Sequence, residues 1–306
     1  YALAAILFEA MIGAVSAVSR SSNAVGGVPV QPFQAPRLLR WRVLAGTLSL
    51  AWTAAAQPSA AVNLVPASAA CDKPVYLTFD TGSMDVAPLV AVVLQRQQVR
   101  ATFFAGMHPT ASGDSLDASW APWWKARAAE GHAFAARTRD EVVWVGDANA
   151  RDAQFIVRPT QGAFAGRTFT WPAAKYCENI TATADRLAHV TGERPLPLYR
   201  AAGGKGSPRL QAAAKACGYT QVSGQAPGFA SGAPQAKDPT DAQITQAVAR
   251  VRAGDVLAVP LGAWSRQVPQ VPVGLDQWIA GLKAQGFCFA TLREHPDYGA
   301  TTATRP

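Results

Sequence analysis

The sequence predicts a single α/β domain built on parallel strands, and three observations carry that expectation. From residue 71 to about residue 298, short apolar runs alternate with helical stretches, the pattern of strand–helix–strand units. No second linker and no internal repeat interrupts this span. The first run, Val75-Tyr76-Leu77-Thr78-Phe79, delivers Asp80 to a strand tip just before Gly82, where the chain is free to turn sharply. Strand 75–81, helix 85–98 and strand 101–106 make one βαβ unit, with Val86, Leu89, Val90, Val93 and Leu94 on one face of the helix. In barrels of such units the C-terminal rim of the strands is where chemistry sits.

The remaining elements follow in order. A polar loop at 107–116 precedes helix 117–130 and strand 132–137. A less regular insert covers 138–170, with Phe155–Val157 as a short strand. Helix 171–192 has Ile180, Leu187 and Val190 as its apolar face, and strand 197–202 follows. Helix 207–217 opens on Ser207 as N-cap with Pro208 at the first helical position. Strand 219–223, helix 240–253, strand 255–261, helix 275–285 and strand 287–293 complete the alternation. Residues 299–306 are expected to be a disordered polar tail.

Composition bounds the class. Of 306 residues, 49% are hydrophobic and 16% charged, ample for a sizeable core. Residues 37–60 resemble a secretory signal: Arg37, Arg40 and Arg42, an apolar stretch from Val43 to Ala56, then small residues. The apolar stretch is short for a membrane span. Residues 61–70 read as a linker and 71–298 as the folded domain. Residues 1–36 are an N-terminal extension, read either as sequence from an upstream start or as a membrane anchor. Membrane contact is expected only through this N-terminal part, if uncleaved. Export to the periplasm or the outside agrees with four cysteines that lack metal-type spacing. Three pairings are open. Cys71–Cys288 is the favoured one, because first and last strands are neighbours when a barrel closes, and Cys177–Cys217 would then join two helices. Four buried thiols are the alternative. A net charge of +8 invites a nucleic-acid reading, but the Lys and Arg are scattered and no basic run is interleaved with aromatics, so nucleic acid is excluded.

The run Thr78-Phe79-Asp80-Thr81-Gly82-Ser83 resembles the first motif of the polysaccharide deacetylase family (carbohydrate esterase family 4), Thr-Phe-Asp-Asp-Gly-Pro, and the resemblance extends over nearly all of 72–295. It implies a distorted (β/α) barrel. It also implies a divalent metal such as Zn²⁺, held by the second Asp of that motif and two His, with the first Asp as general base and a late His as general acid. Such a metal lowers the pKa of its bound water from about 15.7 towards roughly 7.

Mapped residue by residue, the resemblance leaves Asp80 as a vestigial base and Arg200 as its ion-pair partner, while the metal and acid positions are changed. Thr81 stands where the second Asp should be. Ser83 stands where a similar branch, Thr-Phe-Asp-Thr-Gly-His-Met, has a His. In Gly131-His132-Ala133-Phe134-Ala135-Ala136-Arg137-Thr138-Arg139-Asp140-Glu141 the two ligand places hold Arg137 and Glu141. An arginine repels a cation. His132 is expected to pack. Ala202 replaces the Pro of the Arg-x-Pro motif, and Pro260 stands where the acid would be, with no proton to give. Loss of a positioned acid typically costs ~10²–10⁴ in rate. Gly203 and Gly204 mark a strand-to-helix turn, and with Trp264 at the rim they are the candidate sugar contacts. The cluster Trp120, Trp123 and Trp124 is a second candidate for stacking, or ordinary packing.

Nothing else in the chain supplies a catalytic set. His108, His132, His189 and His295 are spread out, and no nucleophile elbow occurs. Asp80, Asp140 and Glu141 could form an oxygen-only site suited to Ca²⁺ or Mg²⁺. The favoured expectation is an exported deacetylase-like protein with impaired catalysis, no cofactor and a retained groove for chitin-like or peptidoglycan chains. The alternatives are an active metal-dependent hydrolase of carbon–nitrogen bonds in N-acetylated sugars, and an envelope scaffold.

Overall fold

A computed structural model describes residues 71–149, 152–227, 239–261 and 271–303, all within the compact unit Asn63–Pro306. The expectations for residues 1–70 and for Trp264 lie outside the described residues.

A curled parallel sheet forms the centre. Its first strand, β1 (Pro74–Thr81), is flanked on one side by β11 (Val256–Leu261) and on the other by β2 (Thr102–Ala105). Beyond β2 come β5 (Ala133–Arg137), β9 (Leu198–Arg200) and the short β10 (Thr220–Gln221). Strand β12 (Cys288–Ala290) pairs with the first three residues of β1. A single parallel bridge from Gln225 to Leu257 brings the chain after β10 onto β11 and draws the two edges together. The alternation of strands and helices predicts the parallel sheet, and its curl into a half-barrel agrees with the distorted barrel that the family resemblance implies.

Apolar content explains the curl. Val75, Leu77, Phe79, Phe103 and Phe134 are fully buried on the central strands. They pack against Val90 and Leu94 of α1 (Ala87–Arg96), Trp124 of α2 (Ala121–Ala129), and Trp278 and Ile279 of α6 (Val271–Ala284). Helix α3 (Ala173–Thr191) and helix α4 (Pro208–Ala216) cover the β5–β9 side through Tyr176, Ile180 and Leu210. Ser207 accepts the Leu210 N–H at 3.1 Å, with Pro208 at the first position, so the expected cap forms. Helix α5 (Asp241–Ala249) starts on a capping box between Thr240 and Gln243.

Three departures have physical reasons. The polar loop 107–116 contains a two-residue hairpin, β3 (Pro109–Thr110) with β4 (Gly113–Asp114). The insert is a three-stranded antiparallel sheet, β6 (Val142–Asp147), β7 (Gln154–Pro159) and β8 (Phe169–Pro172), rather than one short strand. Its half-buried strands carry mixed polar and apolar residues that hide the period of two. Helix α7 (Pro296–Ala303) runs into the residues expected as a disordered tail. Pro296 begins it, Asp297 complements the dipole of its first turn, and the Gly299 N–H bonds the His295 carbonyl at 2.7 Å.

Both disulfides have the favoured pairing. Cys71–Cys288 ties the start of β1 to β12, and Cys177–Cys217 ties α3 to the end of α4, with Cα separations of 6.1 and 6.3 Å.

Candidate functional site

The site grows from strand ends on the C-terminal rim. Asp80 is the penultimate residue of β1, in register with Phe104 on β2 and Pro260 on β11. Arg137 ends β5 and Arg200 ends β9, directly opposite one another. Two like charges side by side on neighbouring strands repel, and Asp80 lies between them: its Oδ1 is 2.8 Å from Arg200 Nη1 and 3.1 Å from Arg137 Nη1. Arg200 is held on every side. It donates to Thr78 Oγ1 at 2.9 Å and to the Val222 carbonyl at 3.4 Å, and its guanidinium lies 4.0 Å from the Phe104 ring centroid. The expected Asp80–Arg200 pair is therefore present.

One tight turn then brings Glu141 back onto Arg137. The Glu141 N–H bonds the Thr138 carbonyl, the Thr138 hydroxyl accepts the Val142 N–H at 2.9 Å, and Glu141 adopts φ +48°. Arg137 donates to Glu141 in a fork, Nε to Oε1 and Nη2 to Oε2. Both residues are buried. Burial opposes the charge on Arg137, but Asp80 and Glu141 outweigh it and raise the guanidinium above the ordinary arginine range. Burial alone would raise the Glu141 carboxyl; Arg137 and His108 instead hold it down at about 2.

His108 is the residue that sequence reasoning missed. It was one of four scattered histidines, yet β2 carries it to the same rim, three residues past the strand end. Its Nε2 is 3.2 Å from Glu141 Oε1 and its Nδ1 is 3.1 Å from Thr81 Oγ1. Gly106 makes room: a Cβ there would lie 2.7 Å from His108 Cε1. Its position just beyond a strand's C-terminal end was the available signal.

Asp80, Thr81, His108, Arg137 and Glu141 line a cavity of about 410 Å³ together with Gly82, Ser83, Gln161 and Pro260. Gln161 Oε1 is buried without a hydrogen-bond partner among the described residues. The Ser83 hydroxyl donates to Asp85 at 2.6 Å. Ala202 is buried next to Gly203 and Gly204, both at φ +67°, and none of the three lines this cavity. Asp140 is also outside the cluster: its Oδ1 lies against Gly162, where a Cβ would sit 2.9 Å away. The oxygen-only site of Asp80, Asp140 and Glu141 is therefore not assembled. His132 packs as expected, its Nδ1 accepting the Ala101 N–H at 3.0 Å and its ring edge-on to Phe103. The tryptophan cluster is packing too. Trp124 is fully buried, with Nε1 donating to the Ser115 carbonyl at 2.7 Å, and Trp120 and Trp123 pack against the core beside it.

A model of the polysaccharide deacetylase domain matches residues 67–222. The chain belongs to the polysaccharide deacetylase family. Among solved structures it resembles a family 4 acetyl xylan esterase from Clostridium thermocellum in complex with a cobalt ion, at 22% identity and TM-score 0.51, covering 72% of this chain and 89% of that one. It also resembles a carbohydrate esterase family 4 pseudoenzyme from Bacillus anthracis, at 13% identity and TM-score 0.51, covering 73% and 65%. A mutant of that pseudoenzyme with restored enzymatic activity matches at 14% identity and TM-score 0.51, covering 73% and 67%. These likenesses show the fold alone. A comparison with curated proteins returns no match.

The family's divalent metal does not fit the donor set at these positions. A permanent cation, Arg137, already lies between Asp80 and Glu141, and Thr81 offers only a neutral hydroxyl. Among the described residues no group of three or more His, Cys, Asp or Glu could hold a metal ion.

Proposed function

We propose that this deacetylase-family protein is exported, has lost metal-dependent deacetylation, and retains its rim cavity as a binding site for acetylated cell-envelope or chitin-like glycan. The observation that carries the reading is Arg137, whose guanidinium spans Asp80 and Glu141 and supplies the positive charge that a metal would otherwise bring. Two further changes act in the same direction. Pro260 cannot protonate a departing amine, and Asp80 alone must act on water whose pKa no metal has lowered. The cavity keeps polar groups for a sugar, among them Asp80 and the unpartnered Gln161 Oε1. Export is supported by two disulfides, which persist in oxidising compartments. Among the described residues no helix is long and apolar enough to cross a membrane.

The test combines elemental analysis of the purified protein with acetate release from acetylated chitooligosaccharides in added Zn²⁺ or Co²⁺, and with pull-down on chitin and peptidoglycan. Absence of stoichiometric metal, no metal-stimulated acetate release and retention on one glycan are the expected results. Stoichiometric metal with acetate release establishes the active hydrolase instead. Failure to bind either glycan favours the scaffold reading.

A further inference from the structure

We infer that Thr81, His108 and Glu141 form a metal-free acyl-transfer relay in the rim cavity, with O-acetyl esters of sugars as the substrate class. The inference rests on the proposed reading only in taking the cavity to admit acetylated sugars. The three residues stand in the order nucleophile, base, orienting acid. Thr81 Oγ1 lies 3.1 Å from His108 Nδ1, and His108 Nε2 lies 3.2 Å from Glu141 Oε1. Both spacings are within reach of proton transfer.

The surrounding bonds fix the direction of the relay. The fork from Arg137 keeps Glu141 ionised, so the ring nitrogen facing it, Nε2, carries a proton. The Gly106 N–H donates to Thr81 Oγ1 at 2.8 Å. That oxygen is thus already an acceptor, and its own hydrogen is turned towards the lone pair of Nδ1. The backbone that carries His108 is fixed as well. The His108 backbone N–H donates to Ser115 Oγ at 3.1 Å, and Ser115 Oγ donates to the Gly106 carbonyl at 2.5 Å. All three members line the cavity together with Arg137.

The chemistry balances with water as the only co-reactant. Thr81 Oγ1 attacks the acetyl carbonyl carbon while its proton passes to His108 Nδ1. The tetrahedral intermediate collapses, the bond from the acyl carbon to the sugar oxygen breaks, and His108 returns the proton to that oxygen. Water then attacks acetyl-Thr81 with His108 as base, releasing acetate and restoring the hydroxyl. Esters are favoured over amides because, without an acid to protonate it, the nitrogen would have to leave as an amide anion, whereas an alkoxide departs far more readily, so the acid missing at Pro260 matters least there.

The test uses the full chain in EDTA with 4-nitrophenyl acetate and an O-acetylated xylooligosaccharide. The expected result is saturable, EDTA-resistant acetate release with an acetyl adduct on Thr81 in quenched samples. Thr81→Val and His108→Asn lower the rate at least tenfold and abolish the adduct, while Thr81→Ser retains both. Glu141 acts through the imidazole, so Glu141→Gln lowers kcat with KM unchanged. The absence of EDTA-resistant release in the wild type, or release unaltered in a Thr81→Val protein of wild-type circular dichroism, overturns the relay. Glycan pull-down with the wild-type protein separates the two readings. Binding without hydrolysis overturns only the relay, and hydrolysis without glycan binding overturns only the proposed binding function.

Discussion

Replacing Arg137 with Met tests whether this guanidinium is what makes a buried pair of carboxylates tolerable on the rim. Arg137 bonds Glu141 through two N–H groups and lies 3.1 Å from Asp80. Breaking a buried ion pair from one side costs about 3–5 kcal/mol, because the partner charge is left uncompensated. Here each carboxylate keeps a second contact, Asp80 with Arg200 at 2.8 Å and Glu141 with His108 at 3.2 Å. The expected loss therefore falls at the lower end, about 3 kcal/mol, or roughly 6–12 °C in Tm for a domain of this size. The pH dependence carries a sharper signature. In the wild type, Glu141 is depressed from 4.5 to about 2. Its contribution to stability is thus complete above pH 4.5 and disappears as pH falls towards 2. Without Arg137, burial becomes the dominant influence and raises the Glu141 carboxyl, so the variant loses stability as pH rises above 4.5. Thermal and urea melts from pH 3 to pH 8 read both effects. A loss below about 1 kcal/mol, or a variant with the wild-type pH slope, would refute the reasoning.

Three further outcomes follow from other parts of the fold. Replacing Cys71 and Cys288 with Ala opens a crosslink of sequence separation 217; chain entropy puts the cost at about 5 kcal/mol, read as a fall in the urea midpoint that excess reductant reproduces in the wild type. Gly224→Ala would place a Cβ 2.7 Å from Ala258 Cβ and 3.0 Å from Arg200 Nη2, where the chain closes onto β11. The expected cost is about 1–3 kcal/mol by calorimetry, and an unaltered Tm would show that the closure yields freely. The fourfold variant Ser83→His, Arg137→His, Glu141→His and Pro260→His should bind one Zn²⁺ by elemental analysis and release acetate from chitooligosaccharides. Metal binding without acetate release would place the missing acid elsewhere than Pro260.

Most of the parallel sheet was legible because buried strands announce themselves as short apolar runs. Val75 to Phe79 and Ala101 to Phe104 needed no tertiary information, and Asp80 at a strand tip followed from them. The insert was less readable, since β6, β7 and β8 are half-buried and their exposed positions interrupt any period. The Asp80–Arg200 pair was legible through the family resemblance, which implies an Arg paired with the first Asp of the opening motif. The Arg137–Glu141 fork was not, although its i,i+4 spacing lay in plain view, because that spacing brings side chains together in a helix and here a single tight turn does so. His108 escaped for a different reason. Its partners are Thr81 and Glu141, separated from it by 27 and 33 positions, and no local pattern links positions that meet only on a barrel rim.

Under the proposed function, that same rim accounts for how the motif positions could change while the fold persisted. The strand interiors are filled by Leu77, Phe79, Phe103 and Phe134, all fully buried, whereas the altered residues sit at strand ends or in the turns beyond, where side chains meet one another rather than the core. Substitution there is limited less by packing than by charge. Asp80 and Glu141 are two anions in a largely buried pocket and demand positive charge nearby. Arg200 answers for Asp80 alone. Arg137 answers for both, and it does so covalently attached to the chain, independent of any metal supply. A rim balanced in this way is stable without an ion and resists admitting one, so recovery of a metal site requires removing Arg137 before any histidine is added. Adding Ser83→His, Glu141→His and Pro260→His while keeping Arg137 should therefore give a folded protein that binds no Zn²⁺, and stoichiometric Zn²⁺ in that variant would show that the guanidinium is not the barrier.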